Sequence, residues 1–378
     1  MSENSLIILV GKSETLRNGD VYYPFRQDSD FLLLTGLNVP DLVLLWSKKL
    51  GKMTWILYSD PISDKERLWG TSRLDFEELS KKSGISEVRE TRFYENDITA
   101  YSDDAEKIFL KKSDKTNGIK WITKFSHKFC ALEDILMPLR MHKTIDEISS
   151  MRKAIEVTKT AFQYIEARIE TYQYEREIEA DIAMIYRKYG SSEAYPSIVS
   201  SGPNTCILHS MKYDRKLEKW DIILIDAGAE YEGYAADITR IFSYGEISER
   251  KKEIYHHVRE IHDEALEKIS VWRTWDEHEA LLRTIVNSHL ISLWLMSKDA
   301  NGVEKEMISR KYFPHRMSHF LGLDVHDTWE KNTVLAPNMV ITCEPGIYIP
   351  EEGIGVRLED DILITDGGYE NLSVEIPL

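Results

Sequence analysis

Cysteine is scarce: the 378 residues contain three, Cys130, Cys206 and Cys343. They are far apart and odd in number, and no Cys-x-x-Cys pair occurs. That argues against a disulfide framework and against a thiolate zinc site, and leaves three buried free thiols as the expectation. Long hydrophobic runs are missing too. The first apolar run, Leu6 to Val10, is too brief for a membrane span or a secretory signal core, and no basic segment precedes it. The expectation is a cytoplasmic protein with no membrane association. Positive charge is also in deficit. Forty-eight Lys and Arg stand against 64 Asp and Glu, a net charge of −16. Such a chain repels phosphates, so nucleic acid is not an expected partner, and anionic membranes are disfavoured for the same reason. Solenoid repeats and low-complexity linkers are absent as well.

What is present is enough apolar material, 42% of residues, to build a sizeable core over a length that allows two domains. In the first third, Phe31 to Leu34, Leu42 to Trp46 and Thr54 to Tyr58 read as strands, and Asp75 to Lys82 as a helix. These make an α/β domain over residues 1–140. Residues 141–378 differ. Thr144-x-x-Glu147 and Thr274-x-x-Glu277 are capping boxes, each opening a helix with apolar residues at helical spacing. Further helices are expected from about Glu175 to Tyr189, stopping at Gly190, and from near Ser248. β-rich segments lie between and after them, at 222–242 and 339–365. The second domain is therefore α+β, with helices covering antiparallel strands.

Those β segments carry acids inside apolar strands. In DIILIDAGAEYEGYAADITRIF (221–242), Asp226 and Asp237 are equidistant from Tyr231-Glu232. A turn centred there would set them opposite each other, about 5 Å apart between Cβ atoms. In MVITCEPGIYIPEEGIGVRLEDDILIT (339–365), Glu344 and Glu359 are symmetric about Glu351-Glu352. Bare carboxylates at that distance repel, and a cation between them removes the penalty. Between the hairpins, PHRMSHFLGLDVHD (314–327) gathers His315, His319 and His326, and imidazole is a common metal ligand. Other histidines read as incidental. His256, His257 and His262 are assigned to a polar helix face, and His278-Glu279 fails as a His-Glu-x-x-His motif because position 282 is Leu. Four carboxylates with one histidine make an oxygen-rich site, better suited to manganese or cobalt than to structural zinc. Two ions sharing carboxylates lower the pKa of water and clamp an attacked carbonyl.

These segments resemble the pita-bread metallopeptidase family and, within it, the Xaa-Pro aminopeptidases. The resemblance runs through RNGDVYYPFRQDSDFLLLTG (17–36), ILHS (207–210), LIDAGAEYEGYAADITR (224–240), SHFLGLDVHD (318–327), EPGIYI (344–349) and GIGVRLEDDILIT (353–365). It implies a C-terminal pita-bread domain behind a smaller α/β domain that governs substrate access and subunit contacts. It implies two divalent ions, Mn2+ first with Co2+ or Zn2+ as alternatives, held by Asp226, Asp237, His319, Glu344 and Glu359. Asp237 and Glu359 resemble the bridging ligands. His209 and His326 resemble the histidines that hold substrate and stabilise the tetrahedral intermediate, and Glu344 the proton carrier. His315 resembles a residue of the proline pocket and Arg357 one beside the second metal. Tyr195 would orient an aspartate ligand. Trp69, in ERLWG, is similar to a tryptophan that reaches a neighbouring subunit's site, implying a homodimer or homotetramer. The implied substrates are peptides with proline second, cleaved before that proline.

The chain departs from the family at Arg316 and Met317, where a small pair is usual. It departs again at Thr328-Trp329-Glu330 and in the short loop from Pro350 to Gly353. These bear on substrate preference and touch no ligand. An Xaa-Pro dipeptidase shares the fold, metals and bond type but prefers dipeptides, and the segment RQDSDFLLLTG favours the aminopeptidase. A methionine aminopeptidase generally lacks the long amino domain. A catalytically silent binding protein, or a metal-free creatinase-like hydrolase, is disfavoured by the complete ligand set.

Overall fold

The computed structural model describes residues 2–112 and 122–377. The chain divides into two compact units, Met1–Pro138 and Leu139–Leu378. Among the described residues, no helix is long and apolar enough to cross a membrane.

The first unit is built on a mixed six-stranded sheet. Its order is Glu87–Glu90, Lys52–Ser59, Val43–Lys49, Ser5–Val10, Lys107–Leu110 and Phe129–Ala131. The strand SLIILV is apolar without alternation because both its faces are covered. Ile7 and Leu9 pack with Leu44, Leu57 and Phe31, while Leu6 and Ile8 pack with Leu45, Ile56 and Ile98 on the other side. The expected strand from Phe31 to Leu34 is instead part of the helix Ser29–Thr35. The Asp28 side chain accepts from the Asp30 and Phe31 amides, and Gly36 closes the helix at φ 67°. A short apolar run does not declare its own period, and here the flanking caps decide.

In the second unit both capping boxes form, opening helices Ile145–Glu166 and Trp275–Ser292. Helices Glu175–Lys188 and Glu249–Glu267 also appear. The helix Gly302–Tyr312 was not anticipated. Two three-stranded antiparallel sheets carry the carboxylates. One runs Ile198–Ser201, Asp221–Ala227, Ile238–Tyr244, and the other Val340–Cys343, Asp360–Thr365, Gly368–Asn371. The ribbon Gly346–Ile349 with Ile354–Arg357 extends the second hairpin. Ile223, Ile225 and Ile238 press the first sheet onto Ile155, Phe162, Ile178 and Ile182 of the helices. The two hairpins meet where the Glu359 amide donates to the Thr239 carbonyl at 3.2 Å.

The registers differ in outcome. In the second hairpin Gly346 pairs with Arg357 and Val340 with Leu363, a common register that sets Glu344 level with Glu359. In the first, Asp226 pairs with Thr239 rather than Asp237, and Tyr231 with Tyr234. The turn lies one residue later than expected, at Glu232-Gly233, both with positive φ (51° and 86°). Glycine supplies that conformation, so Glu-Gly rather than Tyr-Glu makes the turn. A two-residue offset preserves the side-chain face, so Asp226 and Asp237 remain neighbours on it. The free cysteines are mixed: Cys343 is buried, but Cys130 and Cys206 are half-buried, correcting the expectation of three buried thiols.

Candidate metal centre

The strand ends converge on a cavity of about 710 Å³ within the second unit. Asp226, Asp237, His319, Glu344 and Glu359 all line it, with Tyr195, His209, His315, His326 and Arg357. Three elements supply the five candidate ligands. The Asp221–Ala227 strand ends near Asp226 and Asp237 precedes the return strand. His319 lies in the segment after helix Gly302–Tyr312, and the second hairpin brings both glutamates.

Tyr195 Oη lies 2.5 Å from Asp226 Oδ1 and 2.5 Å from Asp237 Oδ1. One hydroxyl has one proton, so it can donate to only one of these oxygens. Arg357 donates through Nη2 to Asp226 Oδ2 and through Nε to Thr239 Oγ1 at 3.0 Å. Thr239 in turn donates to Glu359 Oε2 at 2.6 Å. The His319 ring is oriented from behind: Nδ1 is 3.1 Å from the Phe320 carbonyl, so Nδ1–H donates there. That leaves Nε2 facing Asp237 at 3.3 Å, Glu344 at 3.7 Å and Glu359 at 4.0 Å. Asp237, His319 and Glu359 each present a ligand atom within 4.8 Å of the others.

The electrostatics record a cation deficit. Burial raises the Glu344 carboxyl to about 8, with His319 and Arg357 opposing the rise and Asp237 and Asp226 adding to it. Glu359 is pushed well above the carboxylate range, first by burial and then by Asp237, Glu344 and Asp226. Burial would lower His319, yet Asp237 and Glu344 outweigh it and raise the ring to about 9. Among the described residues, four carboxylates answered by Arg357 and His319, with the free nitrogen of that imidazole aimed among them, fit a divalent metal centre.

The other predicted residues fall around this cluster. His315 Nε2 is 2.9 Å from Tyr348 Oη, and burial, then Arg357, holds the ring neutral with its pKa down at about 3. His326 is exposed, its ring 4.4 Å from that of His319. His209 is exposed on the cavity wall. Trp69 belongs to the first unit, where it ends helix Asp64–Trp69 with 78% of its surface exposed. Of the departures, Arg316 is exposed in the cavity with its guanidinium 4.9 Å from the Trp329 ring centre, whereas Met317 is buried.

Residues 149–366 match metallopeptidase family M24, and residues 1–109 match the aminopeptidase P N-terminal domain. The chain belongs to family M24. Among relatives of this M24 chain, the Xaa-Pro aminopeptidase of Haemophilus influenzae is 32% identical, covering 100% of this chain and 92% of the relative. The structure of Escherichia coli aminopeptidase P with the inhibitor Pro-Leu superposes with a TM-score of 0.91 at 28% identity, covering 100% of this chain and 92% of that one. A zinc-substituted form of the same E. coli enzyme with product gives 0.90 at the same identity and coverage. This M24 chain is a metal-dependent hydrolase.

Several contributors to the M24 centre were not singled out from sequence. Thr239 and Tyr348 hold Arg357, Glu359 and His315. Asp361 Oδ2 accepts the Asp237 amide at 3.2 Å. The available signal was period two: Thr239 follows Asp237, and Asp361 follows Glu359, at the spacing that returns to one strand face.

Proposed function

We propose that this chain is an Xaa-Pro aminopeptidase, hydrolysing the bond between a peptide's amino-terminal residue and a following proline. The observation that carries the reading is the convergence of Asp226, Asp237, His319, Glu344 and Glu359 on one cavity that also presents His209, His326 and Arg357. Those five residues would hold two divalent ions, Mn2+ with Co2+ or Zn2+ as alternatives. When bound, the ions would offset the carboxylate charge, acidify water and polarise the scissile carbonyl.

The chain's own groups divide the remaining work. The acidic wall at Asp226 and Asp237 attracts the substrate's charged amino terminus. His326, solvent-exposed on one side but partly desolvated where its ring meets His319, has its pKa lowered by that desolvation and then by His319, so it is neutral and can offer an N–H to the developing oxyanion. Glu344, held protonated by burial in the bare site, would be ionised once divalent charge offsets its neighbours, and would then take the proton of the attacking water and return it to the proline nitrogen as the C–N bond breaks. His315, neutral and packed edge-on against Phe313 (4.6 Å) and Tyr348 (5.5 Å), gives an apolar wall suited to a proline ring.

The first unit would govern access and contacts between subunits of a homodimer or homotetramer. The exposure of Trp69 supports a role at a neighbouring subunit, and light scattering of wild type against Trp69→Ala tests it. A cytoplasmic location is supported by three unpaired cysteines and tested by cell fractionation. The activity is tested by hydrolysis of Arg-Pro-Pro and Ala-Pro with manganese and after chelation. Metal-dependent release of arginine from the tripeptide, with little dipeptide turnover, is expected. Preference for Ala-Pro would move the assignment to a dipeptidase.

A further inference from the structure

The histidines assigned to a polar helix face do not all lie on one. His262 is buried against Asp360, and His257 turns inward toward the neighbouring helix. Helices Glu249–Glu267 and Trp275–Ser292 bring the rings of His257 and His289 to 5.1 Å between centroids, at 78°. Their Nδ1 atoms are 2.8 Å apart. Glu260 Oε2 lies 3.6 Å from the first and 3.8 Å from the second.

Those three separations define a circle with a radius of about 2 Å, the length of zinc bonds to imidazole nitrogen and carboxylate oxygen. One point between the helices therefore lies at bonding distance from all three donor atoms. The second sphere is also present. His289 Nε2 is 3.3 Å from Glu264 Oε1, so an Nε2–H donated to that carboxylate leaves Nδ1 as a lone pair facing the other two donors. Carboxylates behind metal-bound imidazoles orient the ring and raise its basicity in this way. A bare hydrogen bond from one Nδ1–H to the other Nδ1 accounts for the histidines alone. It does not use Glu260, which stands beyond hydrogen-bond distance of both rings yet equidistant from them within 0.2 Å.

We propose that His257, Glu260 and His289 form a second metal site, taking one zinc-class transition ion with water in the remaining position. Two nitrogens and one oxygen suit Zn2+, Ni2+ or Cu2+, in contrast with the oxygen-rich carboxylate centre. The His289 ring is largely buried and Glu260 is exposed, so the ion has a shielded base and an open entry. Its occupancy ties together the two helices. The second of them also holds the histidine segment of the cavity: Arg283 donates to the His315 carbonyl at 3.1 Å, and Glu279 accepts the Met317 amide at 3.3 Å. The ion is thus a stabilising clip behind the catalytic wall.

The test uses full-length protein stripped by chelator and dialysed against zinc chloride, with metal per chain measured by elemental analysis. Asp237→Asn/Glu359→Gln disables the carboxylate centre. This variant is expected to retain one zinc per chain, with zinc raising its thermal midpoint by a few degrees, about the size expected from ligand linkage. Adding His257→Gln should remove both the ion and the midpoint shift. Adding Glu260→Gln, at an exposed position that cannot disturb the core, should weaken binding by at least about tenfold. A double variant that binds no zinc, or a zinc that survives both additions, overturns the proposal.

Discussion

Glu359 and Asp360 are consecutive and almost equally buried, yet the protein treats their charges in opposite ways. Glu359 faces Asp237, Glu344 and Asp226; among the described residues it accepts a hydrogen bond from the Thr239 hydroxyl, with Arg357 Nε at 3.8 Å and His319 Nε2 at 4.0 Å. Asp360 faces the other way. It accepts from Arg240 Nη2 (2.6 Å), Ser373 Oγ (2.6 Å) and Asn371 Nδ2 (2.7 Å), with His262 Nε2 at 3.2 Å. Burial would push the Asp360 carboxyl up, but Arg240, His262 and Ser373 outweigh it and hold it well below the usual range. Burial alone therefore does not separate a functional carboxylate from a structural one. The number of cations and donors committed to it does.

The comparison breaks most sharply by neutralising each in turn. Glu359→Gln should cut Xaa-Pro hydrolysis by at least about 10³-fold, because a candidate bridging ligand is lost. Without metal, its thermal midpoint should equal or exceed that of wild type, since the amide needs no proton to stay neutral whereas burial forces the carboxylate to take one up on folding. Asp360→Asn leaves Arg240 buried and uncompensated and should destabilise the fold by about 3–5 kcal/mol. Melting of both variants after chelation decides. Equal losses would mean that the two carboxylates play the same structural part.

The pH dependence of the metal-free protein sharpens the same point. Glu344 rises to about 8 and His319 to about 9, so both bind protons more tightly folded than unfolded. Their stabilisation is complete at low pH and is lost as pH rises through those values. The metal-free midpoint should therefore start to fall above the ordinary carboxylate pKa of 4.5, fall most steeply between 6.5 and about 8 where both groups contribute, and level off above about 9. Metal affinity should climb over the same window as the competing protons leave. Calorimetry in buffers of different ionisation enthalpy should show protons released on metal binding at pH 7. Zero release would contradict the assignment of these two residues as ligands.

The sequence made much of this site legible because its signals are local. Acids inside apolar strands, the histidine run 315–326 and both capping boxes stand out without a fold. The second hairpin's register follows from symmetry alone, since its turn falls midway between Glu344 and Glu359. The first misled by two residues because positive φ at Glu232 and Gly233, not the midpoint of the acids, sets the turn. Phe31 to Leu34 misled because capping by Asp28 outweighs a run of leucines. Pairings across distant segments left no local trace. Arg240 with Asp360 and His257 with His289 depend on how hairpins and helices pack, which spacing does not encode.

A milder cut at the carboxylate cluster is Tyr195→Phe. The lost hydroxyl is the one lying between Asp226 and Asp237, and its removal leaves their oxygens less screened and less well oriented. Outer hydrogen-bond partners of metal ligands typically contribute about 10- to 100-fold in affinity or activity. Manganese affinity and hydrolysis should both fall by that factor. Loss of activity with metal affinity intact would place the hydroxyl on the substrate instead.

The smallest effect is expected at Arg316, which adds a cation to a wall otherwise rich in acid. Its guanidinium rests 4.9 Å from the Trp329 ring centre, and both side chains line the cavity. A cation over an aromatic face at an exposed site contributes about 0.5–1 kcal/mol, and a similar energy is available to a substrate carboxylate meeting the same group. Arg316→Met should raise KM for Arg-Pro-Pro about two- to fivefold with little change in kcat, which marks binding that is equal in ground and transition states. The carboxyl-amidated tripeptide separates the two roles of the side chain. If Arg316 meets the peptide's carboxylate, the amide should bind more weakly than the acid in wild type and equally in the variant. If the arginine acts only by packing on Trp329, acid and amide should lose affinity together, and the charge that distinguishes this cavity wall would have no part in choosing peptide length.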